Sequence, residues 1–162
     1  MAQINVKIPP HSLDAEISVL GALLLDKNAI VNVAEFLQPD HFYESKHASI
    51  FEVIIELYEK REPIDVLTVS EGLKRKKKLK ETGGAGYLAE LVNKVPTSAH
   101  VEQYGKIVKE TSIKRSLMEA AARLVEICFD DGLSADELLD QAETKVFSLT
   151  QQHINQAFVP IR

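Results

Sequence analysis

Residues 99–129 form a stretch without proline that constrains the fold of this chain more than any other feature. Only Gly105 interrupts its helical pattern, and a helix of this length extends for roughly 45 Å at about 1.5 Å per residue. Apolar residues form one stripe within residues 101–108 and a second within residues 113–127, and the helix turns by about 140° between the two. We therefore expect the first stripe to pack on the preceding part of the chain and the second on a partner helix.

A second helix is predicted to fold back along the first. Asp130-Asp131-Gly132 ends the long helix, and Ser134 with Glu137 forms a capping box that begins the next one. Apolar positions then continue on one face to about Thr150, so the two helices are predicted to form an antiparallel hairpin over residues 98–150.

Two paired helices bury only one stripe each, which leaves Leu139, Phe147 and Cys128 partly exposed. A fully buried side chain of this kind contributes about 1.5–3 kcal/mol, so we expect a second hairpin to cover them in an isologous dimer. A three-helix bundle with the rest of the same chain is the alternative. The residues predicted to form the oligomer interface are Leu117, Ala120, Ala121, Leu124, Ile127, Cys128, Leu138, Leu139, Ala142 and Val146.

The remaining hairpin surface is acidic. Residues 117–150 carry eight acidic and two basic residues, so this surface repels nucleic acid and suits a protein partner with basic character. The candidate partner surface consists of Phe129, Asp130, Asp131, Leu133, Asp136 and Glu137.

Residues 1–97 are predicted to form a compact helical head. Pro9-Pro10 favours extended chain, Ser12 is the predicted N-cap of the first helix, and Gly21 inside that helix indicates close approach by a neighbouring backbone. Helices are then expected at about 28–37, at about 45–60, from Asp65 as N-cap, and after a glycine loop at 83–86. Tyr58 and Leu67 are expected to face inward.

The composition favours an all-α fold, a compact multi-helix head followed by an antiparallel helical hairpin. Aromatic residues make up 6% of the chain, tryptophan is absent, and the glycines and prolines lie between apolar stretches. Only residues 4–6 give an ambiguous strand pattern. The single Cys128 excludes an intrachain disulfide framework, and no apolar run is long enough to span a bilayer. We therefore expect a cytoplasmic protein with no membrane partner.

A basic run interrupts an otherwise acidic chain. It holds six of the 19 basic residues, and without it the net charge of −5 becomes −11. Such a run can hold nucleic acid by counterion release, or it can be the solvated end of a helix, which we favour because no aromatic residue interleaves it. The weak nucleic-acid candidates are Lys74, Arg75, Lys76, Lys77, Lys78 and Lys80.

No catalytic, cofactor-binding or metal-binding residue is predicted. The glycines at 83–86 are not followed by Gly-Lys-Ser/Thr, and the Gly105-Lys106 pair lies inside a helix. The five histidines show no metal-ligand spacing, and one cysteine cannot complete a common zinc set.

The order of short motifs resembles the N-terminal domain of bacterial replicative DNA helicases of the DnaB type. The motifs are PPHSLDAEISVLGALLLD at 9–26, LQPDHFY at 37–43, HASIF at 47–51, PID at 63–65 with LT at 67–68, GGAGYL at 83–88, PTSA at 96–99, Tyr104 with Ile107-Val108, and FVPI at 158–161. The resemblance covers essentially the whole chain. Residues 151–162 are then expected to begin an interdomain linker, and an ATPase domain is expected after Arg162.

The resemblance implies an assembly role rather than catalysis in these residues. The parent is expected to be a hexameric ring that unwinds duplex DNA at the replication fork, with ATP and Mg²⁺ bound only by the missing domain. The resemblance implies that the N-terminal domains form a collar, arranged as a trimer of hairpin-paired dimers, and that this collar docks primase. A helicase loader is a further candidate partner. The alternatives are a small DNA-binding module that uses residues 74–80, and a primase-derived helicase-binding domain.

Overall fold

The computed structural model describes residues 8–157, with side chains to residue 153. All regular elements over this range are helical, which confirms the all-α prediction. They are α1 (Leu13–Leu25), 3-10 turns at Ala29–Asn32 and Pro39–His41, α2 (Ser45–Glu59), α3 (Val66–Arg75), α4 (Gly84–Asn93), α5 (Val101–Cys128) and α6 (Ala135–Ala157). The ambiguous residues 4–6 and the FVPI segment lie outside the described residues.

Helix α1 lies at the centre of the head. The Ser12 side chain accepts a hydrogen bond from the Ala15 N–H and so caps the helix, as predicted. Gly21 lies against α4, where an added Cβ would overlap the Leu91 carbonyl oxygen and the Val95 side chain. The close backbone approach predicted for this glycine is therefore confirmed, and it lets α1 and α4 pack without a side chain between them.

Three details of the predicted head are wrong. Residues 28–37 form a 3-10 turn at Ala29–Asn32 followed by hydrogen-bonded turns rather than an α-helix, because the segment packs in short pieces between α1 and α5. Leu67 is 70% exposed and Tyr58 is 39% exposed, so neither faces the core. The α4 helix begins at Gly84, inside the predicted glycine loop.

Helices α2 and α3 are each followed, directly after the C-cap, by a residue with a positive φ. Arg61 has a φ of 57° and Lys77 a φ of 58°. In α3 the Lys78 N–H donates to the Leu73 carbonyl and the Lys77 N–H donates to the Lys74 carbonyl, the two bonds of a Schellman motif. The basic run therefore begins in the last turn of α3 and continues through a left-handed helix cap.

Helix α5 belongs to both parts of the molecule. Its first part buries Val101 and Val108 against the head, as the first apolar stripe predicted. Gly105 lies against Val33 and Phe36, so it serves close packing rather than phosphate binding. The second part extends beyond the head and pairs with α6, which forms the predicted hairpin. Helix α6 ends at Ala157, seven residues after its predicted end, so the expected linker at 151–162 begins inside a helix.

Arg115 joins the head to α5 at the point where the hairpin begins. Its Nη1 donates to the Pro10 carbonyl oxygen and its Nη2 to the His41 carbonyl oxygen, each at 2.8 Å. The guanidinium also lies 5.4 Å from the centroid of the Tyr43 ring, onto which His11 stacks. Burial lowers the pKa of Arg115. Charge-assisted bonds of this kind hold the base of the hairpin against the head.

Candidate functional site: the two faces of the hairpin

The seam between α5 and α6 contains half of the predicted interface residues. Each of them is buried or half-buried, and their spacing places them on the facing sides of the two helices. These residues are Ala120, Leu124, Ile127, Leu138 and Ala142. They stabilise the hairpin within one chain.

The other half of the predicted interface forms an exposed apolar surface, which we call the apolar face. Its residues are Leu117, Ala121, Cys128, Leu139 and Val146. A helix turns by about 100° per residue. Relative to the seam, the apolar-face residues of α5 and those of α6 are therefore displaced around their helices in the same rotational sense. Because the two helices are antiparallel, this places both sets on one side of the hairpin. Leu117 and Val146 accordingly line the same cleft.

The opposite side of the hairpin is polar. A groove of about 520 Å³ runs along it between α5 and α6, and its walls carry Glu119, Arg123 and Glu126 on α5 with Lys145 and Ser148 on α6. The hairpin therefore presents two chemically different faces. Of these two faces, the apolar one resembles a surface that packs against another apolar surface.

A cleft of about 600 Å³ lies where the apolar face meets the head. The head contributes Gln38, Asp40 and His41, and the hairpin contributes an apolar floor that includes Leu117 and Val146. The Gln38 N–H donates to His41 Nδ1 at 3.0 Å, so the proton of the neutral ring is on Nε2. Burial lowers the pKa of His41, and the charges of Lys109 and Arg115 act in the same direction while Asp40 opposes them.

The tip of the hairpin exposes an aromatic ring among acids. Phe129 is 81% exposed, and Asp130 and Asp131 follow it. The tip is an ordered turn, since Asp130 accepts a hydrogen bond from the Gly132 N–H. The predicted capping box is present, with Ser134 and Glu137 each accepting from the backbone N–H of the other. Leu133 is half-buried, and Asp136 in the first turn of α6 is exposed.

The basic run lies on the head, at the end of α3. Lys76 pairs with Glu56 and Glu52 of α2, and Lys78 pairs with Glu52 at 3.6 Å. The hydrogen bond to Glu56 raises the pKa of Lys76. The other four candidates, Lys74, Arg75, Lys77 and Lys80, are exposed. Part of the charge is thus neutralised within the head, which fits the solvated end of a helix.

A buried polar cluster of Glu16, His47 and Tyr87 was not predicted from the sequence. Glu16 is 1% exposed and accepts from the Tyr43 N–H at 2.8 Å, from the Glu44 N–H at 3.3 Å and from His47 Nδ1 at 2.8 Å. With its proton on Nδ1, His47 then accepts from the Tyr87 hydroxyl through Nε2. Glu16 has the position of a first-turn acid, and only its helical spacing to Val19, Leu20 and Leu23 indicates burial.

The cluster joins three helices, since its members come from α1, α2 and α4. Burial raises the pKa of Tyr87, and the carboxylates of Glu90, Glu44 and Glu16 add to the effect, which keeps its hydroxyl protonated. Lys46 covers the Tyr87 ring at 4.1 Å. Among the residues whose side chains the structure describes, every buried side-chain donor and acceptor has a partner, which is the pattern of a structural network.

Over the part of the chain that the structure describes, no three His, Cys, Asp or Glu side chains come together in a way that could hold a metal ion. In the same residues no helix is long and apolar enough to cross a membrane.

The model of the family described as "DnaB-like helicase N terminal domain" matches residues 8–110. The chain belongs to this family. The match covers the head and the first part of α5, and the resemblance predicted from the sequence is confirmed. The residues matched by the family model therefore include those that form the hydrophobic core of the head.

Two curated relatives extend the similarity over almost the whole chain. "Replicative DNA helicase DnaB" of Geobacillus stearothermophilus is 38% identical over 156 residues, which are 96% of this chain and 34% of the relative. "Replicative DNA helicase DnaC" of Bacillus subtilis (strain 168) is 35% identical over 159 residues, which are 98% of this chain and 35% of the relative. The chain spans about a third of the length of these relatives.

Two solved structures share the fold. The crystal structure of the N-terminal domain of DnaB helicase from Mycobacterium tuberculosis superposes with a TM-score of 0.83 at 39% identity, covering 87% of this chain and 99% of that one. A structure of a DnaB-like replicative helicase and its interactions with primase superposes with a TM-score of 0.72 at 25% identity, covering 86% of this chain and 31% of that one.

Proposed function

We propose that this chain is the N-terminal collar domain of a replicative DNA helicase and that its hairpin pairs with the hairpin of a second copy. The apolar face carries the proposal. Leu139 is 68% exposed and Leu117 is 56% exposed, although both lie on ordered helices. In an isologous contact the same side chains are buried in both copies, so a small face on each copy is enough for a dimer. Three such dimers would form the hexameric ring expected of the family.

Dimer formation is tested by placing a charge on the apolar face. We expect Leu139→Asp to weaken self-association by more than 100-fold, because the dimer would bury the new carboxylate in both copies. Ser148→Asp, on the polar face of the same helix, is the matched control and should leave association unchanged. Sedimentation equilibrium measures the dissociation constant, and circular dichroism checks that both variants keep their helices. Equal dimers in both variants would refute the proposal.

Docking of primase is the second part of the proposal. It rests on the acidic hairpin surface, including Asp136 and Glu137, and on the superposition with a helicase whose structure describes interactions with primase. A basic primase surface would complement these charges. Calorimetric titration with the helicase-binding domain of the cognate primase tests this, with Asp136→Lys against Lys94→Ala on the head as control. An unchanged affinity for Asp136→Lys would exclude this surface.

ATP-driven unwinding is assigned to a domain that would follow these residues. ATP and Mg²⁺ would bind there, a loader would act on the assembled ring, and the whole protein would work in the cytoplasm. The sequence of the parent gene beyond Arg162 tests this assignment, because it should encode a Gly-rich loop that ends in Gly-Lys-Ser/Thr. A parent gene without such a loop would refute it.

A DNA-binding role for residues 74–80 is separable from the collar function. We expect the described pairs of Lys76 and Lys78 with acids to make binding of single-stranded DNA weak at moderate salt. Fluorescence anisotropy with labelled single-stranded DNA should give the same result for the wild type and for a variant with Lys76, Lys77 and Lys78 changed to alanine. A large loss in that variant would favour the DNA-binding alternative.

A further inference from the structure

The cleft between the head and the base of the hairpin has the dimensions of a small-molecule site. Its volume of about 600 Å³ lies within the range of about 300–1,000 Å³ that is usual for ligand pockets. The 3-10 turn at Pro39–His41 forms one wall. The hairpin forms an apolar floor, with Ile113 and Leu117 on α5 and Val146 and Leu149 on α6. The cleft can therefore enclose the apolar body of a ligand.

Two deeply buried side chains present hydrogen-bond donors to this cleft. His41 is 9% exposed and Ser112 is 7% exposed, and both line the cleft. Because His41 Nδ1 accepts from the Gln38 N–H, the Nε2–H of the neutral ring is left as a donor. Among the side chains that the structure describes, every fully enclosed polar atom has a partner, whereas His41 Nε2 and Ser112 Oγ have none, so both atoms reach the open cleft. Both groups are available to donate to an acceptor on a ligand.

Positive charge surrounds these donors. Burial lowers the pKa of His41, and the charges of Lys109 and Arg115 lower it further, while Asp40 opposes them. Burial also lowers the pKa of Lys109, and no carboxylate opposes that effect. Arg115 donates to two backbone carbonyls rather than to a carboxylate. Asp40 is the acidic residue of the described lining and is exposed, so water screens its charge. The local field therefore favours an anion near His41.

We propose that this cleft binds a small-molecule anion, a carboxylate or a phosphate monoester carried on an apolar ring or branched chain. The anionic group accepts hydrogen bonds from His41 Nε2 and from the Ser112 hydroxyl, and the apolar body packs on Ile113 and Leu149. Hydrogen bonds to an ionised acceptor are roughly twice as strong as those between neutral groups, so two such donors suit an anion. All the residues of the site belong to one chain, so the inference does not depend on the proposed dimer.

Calorimetric titration of the whole chain with three naphthalene compounds tests the chemistry of the ligand. The compounds are naphthalene carboxylate, naphthyl phosphate and the neutral naphthalene carboxamide, which share the same ring. We expect at least one anion to bind with a dissociation constant of about 1 mM or less, and about 10-fold more tightly than the carboxamide. The tighter of the two anions identifies the class of acceptor. Equal affinity for the carboxamide, or no binding by either anion, would overturn the proposal.

Two matched isoleucine variants test the position of the site. Ile113 and Ile107 are both 39% exposed on α5, but of the two only Ile113 lines the cleft. We expect Ile113→Asp to weaken binding of the tighter anion by more than 10-fold, because the new carboxylate repels the anion and interrupts the apolar floor. Ile107→Asp should leave the affinity unchanged, and circular dichroism checks that both variants keep their helices. Equal affinities for the two variants would place the bound anion outside the cleft and refute the proposed site.

A second pair of variants tests the hydrogen-bond donor and changes the fold little. Ser112→Ala removes the buried hydroxyl while keeping a good helix former, so we expect it to weaken binding of the anion by about 10-fold. Ser148→Ala is the matched control, since Ser148 is exposed on the polar side of the hairpin. The affinity for the carboxamide should change less in Ser112→Ala than the affinity for the anion. If Ser112→Ala and Ser148→Ala bound the anion equally well, the proposed contact with the anionic group would be wrong.

Discussion

Replacing Glu16 by alanine should destabilise the head more than any exposed substitution does. The Glu16 carboxyl group accepts three hydrogen bonds within the core, from the Tyr43 N–H, the Glu44 N–H and His47 Nδ1. Alanine would leave all three donors without an acceptor, and the freed space is enclosed by α1, α2 and α4. Both effects act only on the folded state.

The magnitude follows from the number of unsatisfied donors. Each buried donor that loses its partner costs about 1–3 kcal/mol, so the three together should cost at least about 3 kcal/mol. Asp14→Ala is the matched control, because Asp14 lies in the same first turn of α1 but is exposed. Loss of its interaction with the helix dipole should cost about 0.3–1 kcal/mol. Glu16→Gln should fall between the two, since its amide oxygen can still accept.

Urea unfolding followed by circular dichroism gives the difference in unfolding free energy. Amide hydrogen exchange adds a local measurement, because the Tyr43 and Glu44 N–H groups should exchange faster in Glu16→Ala than in Asp14→Ala at matched stability. If Glu16→Ala cost no more than Asp14→Ala, the cluster would not stabilise the fold and this reasoning would be refuted.

Three further changes test other features of the described structure. Lys77→Gly should raise the unfolding free energy by about 1 kcal/mol, because glycine adopts a positive φ without strain. Lys74→Gly, inside the last turn of α3, should lower the unfolding free energy, and urea unfolding compares the two variants. Gly21→Ala should destabilise by about 1–3 kcal/mol, despite the better helix propensity of alanine, through its clash with α4; a higher melting temperature would contradict this. The lowered pKa of His41 means that the unfolded chain binds the proton more readily, so stability should fall as the pH drops below about 6.5 toward the folded pKa. The pH dependence of unfolding in His41→Gln should be flatter, and an unchanged dependence would contradict the burial effect.

Spacing along a single helix predicts the packing of the second α5 stripe correctly for Ala120, Leu124 and Ile127, which are buried or half-buried, but not for Leu117, which is 56% exposed. The second apolar stripe of α5 was assigned from spacing alone, and the spacing also predicts that Leu139 and Phe147 stay exposed. What the spacing did not show is the division of the predicted interface into a seam and an outer face. That division depends on how far each helix of the hairpin is rotated about its axis.

The buried cluster and the Arg115 contacts could not be read from the sequence, because their partners are far apart along the chain. Glu16 and His47 are separated by 31 residues, and Arg115 and Pro10 by 105. Acidic and basic residues are ordinarily at the surface, so the residue type of Glu16 and Arg115 gives no sign of burial. The spacing of His47 with Ile50, Ile54 and Leu57 places it on the apolar side of α2, which indicates burial but does not identify its partner.

The amino-acid sequence by itself determined most of the helices, their caps and the hairpin, although not the short turns at 28–37. Ser12, Asp65 and the Ser134–Glu137 pair act within one turn of backbone, and the break at residues 130–132 is equally local. The tertiary structure alone decided which polar groups are buried, which helix face stays uncovered, and where the cleft lies. Caps and periodicity are short-range interactions that any matching segment makes, whereas desolvation and side-chain pairing depend on which distant segments the folded chain brings into contact.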